Sequence, residues 1–188
     1  MFNAIHGGYA DKSLLGTQNG IVSSTAPVKN YATGINSSGV ISYAQPQFSD
    51  LSNYEEGTFT PALINSTPGD LAITYAVQGG SYTKKGNEVT LEIAILTSAF
   101  THTTATGEWR ISGLPFSSAN NSRSSVSTLS HQGITKASYT QFYGLLDSNR
   151  SYILLAAGGS GVGYSAVSGT QMPSGGTVLL KLTITYFI

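Results

Sequence analysis

At 188 residues the chain has room for one domain of ordinary size, or a small domain with an appendage. It holds no cysteine, which excludes disulfides and thiolate metal sites, and nine basic residues balance nine acidic ones. Charged residues are only 10% of the chain, against about 25% in a typical soluble domain. That composition disfavours nucleic acid, whose capture rests on Lys and Arg contacts to phosphate, and favours self-association.

Residues 1–53 read as an extended N-terminal arm. They carry two acids (Asp11, Asp50), two bases (Lys12, Lys29) and scattered hydrophobes, with no sustained helical or strand periodicity. Leu14-Leu15, Ile21-Val22 and Val40-Ile41 are isolated apolar pairs. So little burial cannot offset about 1–2 kcal/mol of conformational entropy per ordered residue. The arm is therefore expected to be ordered by lying on another surface. Phe2, Ile5, Tyr9, Leu14, Leu15, Ile21 and Val22 are its candidate attachment residues. The opening Met1-Phe2-Asn3-Ala4-Ile5-His6 lacks the basic and apolar regions of a signal peptide, so general secretory export is not expected. No apolar run approaches the roughly 20 residues that span a bilayer, and no membrane insertion is expected.

From Tyr54 the pattern changes. In residues 88–96, Val89, Leu91, Ile93 and Ile95 alternate with Thr90, Glu92 and Ala94, the period of a strand with one buried face. Gly79-Gly80 and Lys84-Lys85-Gly86-Asn87 read as turns that cut residues 73–88 into short hairpin arms. Further strands are expected over 125–131, 138–146, 151–157 and 162–167, separated by turns at Gly133, at Asp147-Ser148-Asn149 and at residues 158–161. In the last twelve residues Val178, Leu180, Leu182, Ile184 and Tyr186 share one face. A frayed Tyr-Phe-Ile end would be insoluble, so this strand is expected to be paired and packed. Many short strands with Gly-rich turns predict an all-β head over 54–188, an antiparallel, jelly-roll-like β-sandwich.

Local patterns for chemistry are weak. His6, His102 and His131 have no His or carboxylate partner at metal-ligand spacing and read as surface or loop residues. Of these, His131 is the better candidate for an ion shared on a symmetry axis. Glu88 and Glu92 share a strand face at about 13 Å, too far apart for glycoside hydrolysis by either route. The run Gly158-Gly159-Ser160-Gly161-Val162-Gly163 lacks the spacing and following helix of a phosphate cradle. No enzyme activity and no cofactor are expected. Aromatic residues gather in the second half of the head, where flat faces with polar edges suit sugars and proteins alike. Trp109, Tyr139, Phe142, Tyr143 and Tyr164 are the candidate ligand-binding residues, with Tyr139, Tyr143 and Tyr164 expected to be exposed.

Four motifs carry a family resemblance. Ala44-Gln45-Pro46-Gln47-Phe48-Ser49-Asp50-Leu51-Ser52 resembles a shaft-to-head junction of tailed-bacteriophage fibres. Tyr54-Glu55-Glu56-Gly57-Thr58-Phe59-Thr60-Pro61 is similar to the opening of a small β-rich head domain of phage fibres and tailspikes. There it is followed by a hairpin like residues 80–89 here, and by a segment like Ile111-Ser112-Gly113-Leu114-Pro115-Phe116. The resemblance implies a trimeric virion surface protein. The Val178, Leu180, Leu182, Ile184, Tyr186 face is then the expected trimer interface. The implied partners are further copies of this chain, a phage tail or major capsid protein held by the arm, and a host surface glycan. Two functions follow: receptor binding at a tail fibre or tail tip, which the motifs favour, and capsid decoration or cementing, which the short arm favours.

Overall fold

The computed structural model describes residues 31–45 and 53–188. The candidate attachment residues Phe2, Ile5, Tyr9, Leu14, Leu15, Ile21 and Val22, and most of the junction motif, lie outside them. The chain divides into two units, Met1–Ser52 and Asn53–Ile188.

The first unit holds a hairpin where no sustained strand pattern is legible. Strands β1 (Tyr31–Ile35) and β2 (Ile41–Ala44) pair antiparallel. Their turn is organised by Asn36, whose Oδ1 accepts from Ser38 N at 3.0 Å and Val40 N at 2.9 Å, with Gly39 in the left-handed region at φ 79°. An Asx side chain competing for local amides makes such a turn without hydrophobic help. Ile35 and Val40 are each 59% exposed, so the hairpin closes no core.

The second unit is all-β and antiparallel, as expected, with no α-helix among the described residues. Its strands are β3 (Tyr54–Phe59), β4 (Ala62–Asn65), β5 (Ala72–Lys85), β6 (Glu88–Thr101), β7 (Trp109–Ser112), β8 (Ser125–Gln132), β9 (Gln141–Leu146), β10 (Ile153–Gly159), β11 (Val162–Ala166) and β12 (Leu179–Phe187). The sandwich is one continuous sheet, ordered β3-β5-β6-β12-β8-β9-β10-β7-β4, with β11 on the second edge of β10. Strand β8 makes the corner. Its residues 129–132 pair with β12 and its residues 125–128 pair with β9, so one strand serves both halves. Consecutive strands β3 and β4 lie at opposite ends of this path. Across that gap Tyr75 Oη accepts from Leu63 N at 3.0 Å and Gln78 Nε2 donates to Pro61 O at 3.0 Å, so the curled sheet is a half-barrel around one core.

The alternation read from residues 88–96 holds: Val89, Leu91, Ile93 and Ile95 are buried. Gly79-Gly80 is not a turn. It lies within β5, whose 14 residues pair with β6 as far as the turn at Gly86-Asn87. The glycines serve cross-strand rings instead. Gly80 opposes Phe59, and Gly57 opposes Tyr82. A Cβ at Gly80 would sit 2.5 Å from the Phe59 ring, and one at Gly57 would sit 2.6 Å from Tyr82. Each ring thus covers the other strand's glycine.

The terminal strand β12 is central, paired to β6 along its whole length and to β8 over four residues. Val178, Leu180, Leu182, Ile184 and Tyr186 are at most 6% exposed within a single chain. This corrects the expectation that they form a trimer interface: the half-barrel folds over that face and uses it as core. The opposite face, with Lys181, Thr183, Thr185 and Phe187, is the solvent side.

Candidate functional site

The five aromatic candidates separate by strand parity. Trp109 opens β7 on the inner face and is fully buried. Its Nε1 donates to Gly169 O at 2.9 Å, and its ring meets Phe100 at 5.2 Å and His102 at 5.3 Å. It is a core anchor, not a ligand surface. Phe142 also points inward, half-buried, with its ring 4.6 Å from that of His131. Tyr139 is half-buried in the segment before β9, with the Lys136 ammonium 4.9 Å from its ring centroid. Lys136 Nζ donates to Ala166 O and Gln171 Oε1, at 2.9 and 3.0 Å, which ties this segment to the end of β11. Desolvation lowers the Lys136 pKa.

Tyr143 and Tyr164 come together on the outer face. Tyr143 on β9 opposes Ala156 on β10, which in turn opposes Ala166 on β11, two residues from Tyr164. A Cβ placed on Gly158 would lie 3.5 Å from Tyr143 Cε1, so the ring rests across that glycine. Desolvation, then the nearby Tyr164 phenol, raise the Tyr143 pKa. Tyr164 is 67% exposed. The run at residues 158–163 is therefore a hairpin, with Gly161 at φ 72°, that carries an aromatic pair beside it. Rings with polar edges on a rigid sheet offer stacking and hydrogen bonding to a polyhydroxylated ligand.

A row of four aliphatic residues and one arginine next to this pair is not legible from the sequence. Register places Val126, Leu145, Leu154, Arg110 and Ile64 side by side across β8, β9, β10, β7 and β4. Val126 is 62% exposed and Ile64 36%. Arg110 lies over the Tyr152 ring at 4.2 Å and pairs with Glu108 at 2.7 Å. Alternation in β4, β7 and β8 is the signal that could have found it, but each strand is short and the row exists only once they pair.

The histidines correct another expectation. His102 is 5% exposed, in the aromatic core, with Nε2 2.7 Å from Met172 O. His131 is half-buried, and its Nδ1 is buried with no partner. His6 lies outside the described residues. Several carboxylates are tied into local structure. Asp70 accepts from the hydroxyls and amides of Thr103 and Thr104, at 2.6–3.1 Å. Glu55 accepts from Tyr82 Oη at 2.6 Å and lies 3.9 Å from Lys84 Nζ, while Glu56 takes the Tyr54 hydroxyl.

No family model matches the chain, and no curated protein matches it. Among solved structures it is similar to the Dettilon tailspike protein (gp208), with a TM-score of 0.56 and 18% identity over 72% of this chain. The chain spans 24% of the length of that tailspike, so it shares the fold of one portion of it.

Proposed function

We propose that this chain is a non-enzymatic tail protein of a bacteriophage virion, a receptor-binding head held to the tail through its N-terminal unit and working as a homotrimer. The likeness of its fold to part of a phage tailspike supports a place on the virion tail surface. The Tyr143–Tyr164 pair on the outer sheet, Tyr164 exposed and Tyr143 half-buried where exposure had been expected, carries the receptor reading, because it offers rigid aromatic area with polar edges where a host surface glycan can stack. With the Val178–Tyr186 side of β12 spent as core, the exposed Val126 and Ile64, at the two ends of a row that also holds buried Leu145 and ion-paired Arg110, are the apolar contacts for self-association. Capsid decoration is the second reading. It draws on the β1–β2 hairpin, whose exposed Ile35 and Val40 need cover from another surface, and a capsid shell supplies that as well as a tail does.

Cryo-electron microscopy of intact virions tests both readings. A few trimers at the tail, with adsorption lost on Tyr164→Ala, is the expected result. Dozens to hundreds of copies on the shell would replace receptor binding with decoration, and absence from the virion would overturn both.

A further inference from the structure

The outer face of β3, β5, β6 and β12 carries a trough that the roles above leave unused. Two adjoining depressions of about 630 and 470 Å³ share Ser81 and Glu92. The register explains them. Thr58, Ser81, Glu92 and Thr183 stand in one row across four strands. Beside that row, Gly79 opposes Ala94, so between β5 and β6 the floor has no side chain larger than a methyl, and the row continues to Lys181 and Ser130. A ligand lying across the strands meets a hydroxyl or carboxylate at steps of about 4.8 Å. At the β8 corner the trough reaches Thr128, whose partner on β9 is Tyr143. The groove therefore leads to the aromatic pair.

Its charge selects among occupants. The charged side chains lining the two depressions are Glu56, Glu92 and Lys181, two carboxylates against one ammonium. Neither Glu92 nor Lys181 forms an ion pair among the described residues, so both keep their hydrogen-bonding capacity for a ligand. A polyanion would meet net repulsion. An apolar protein surface would leave the hydroxyl row without partners, and strand addition needs an open edge, not a sheet face. We propose that the trough is a binding subsite for an extended polyhydroxylated chain, neutral or amino-bearing and not polyacidic, entering from the Tyr143–Tyr164 pair. This rests on the receptor reading above and adds the class of glycan and the path it takes.

The test uses the full chain on an array of bacterial surface polysaccharides that are neutral, amino-sugar-bearing, or rich in uronic acid or phosphate. Wild type should retain the first two classes. Ala94→Trp, which fills the floor, should weaken retention about tenfold or more, with an unchanged melting curve. Glu92→Lys, at an exposed position, should shift retention toward acidic chains, and it answers the same question if Ala94→Trp fails to fold. A wild-type preference for acidic chains overturns the proposal, as do unchanged profiles in both variants. Loss on Tyr164→Ala alone overturns the trough and keeps the aromatic site. Wild type retaining no polysaccharide also overturns the trough, and together with normal adsorption of Tyr164→Ala virions it overturns the receptor reading as well.

Discussion

His131 shows how a single ring can set a pH limit. Burial lowers its pKa, and its Nδ1 has no partner to accept the added proton's charge. A base whose folded pKa lies below its unfolded value of about 6.5 costs no stability above that value. As pH falls through it, the unfolded chain takes up the proton first and stability drops. Melting temperature should therefore fall between about pH 7 and 5, by more in wild type than in His131→Gln, as circular dichroism would show. Asp70 has the opposite sign. The Thr103 hydroxyl and amide, then the Thr104 amide and hydroxyl, hold its carboxyl well below the usual range. Its contribution is present above the unfolded carboxylate pKa and fades only as pH falls through the folded one. Asp70→Ala should lower the melting temperature at pH 7 and speed amide exchange at Thr103 and Thr104. None of these environments is legible locally: Asp70 and Thr103 are 33 positions apart, and the strand pairings that frame His131 are what bury it.

At the scale of elements, β12 decides the fold because it bridges both halves of the sheet. Its alternation was readable from Val178, Leu180, Leu182, Ile184 and Tyr186, but alternation marks a buried face without saying which body buries it. Chain and symmetry mate give the same period of two. The test is a pair of substitutions on adjacent residues. Ile184→Ala, at a 2% exposed site, should cost about 2–5 kcal/mol in urea unfolding. Thr185→Ala on the solvent face, which removes only a hydroxyl contact of 2.8 Å to Thr90 across the strands, should cost about 0.2–1 kcal/mol. The β3–β5 pair makes a similar point about glycine. Gly79-Gly80 reads as a turn by composition, yet Gly80 is there because the Phe59 ring crosses it. Gly80→Ala should destabilise by about 1 kcal/mol, since the ring must pivot away from a new methyl.

For the whole molecule, self-association is the property to test. Exposed Val126 and Ile64 end a five-strand row of four aliphatic residues and Arg110, and low charge leaves little to oppose contact between copies. Val126→Lys combined with Ile64→Lys should convert a trimer in multi-angle light scattering to monomer while keeping the circular dichroism spectrum. A monomeric wild type would remove the trimer. The sequence by itself determined the class of this protein: strand periodicity, turn residues and the absence of helical stripes depend on neighbours within a few positions, and the strands expected over 125–131, 151–157 and 162–167 formed within two residues of those bounds. Tertiary structure alone decided which faces remain outside. It placed Trp109 and the β12 face in the core, and it set Tyr143 beside Tyr164 and Ser81 beside Glu92. Those outcomes depend on cross-strand register between residues far apart in the chain, and on a sheet that turns its corner at β8, which a period of two does not encode.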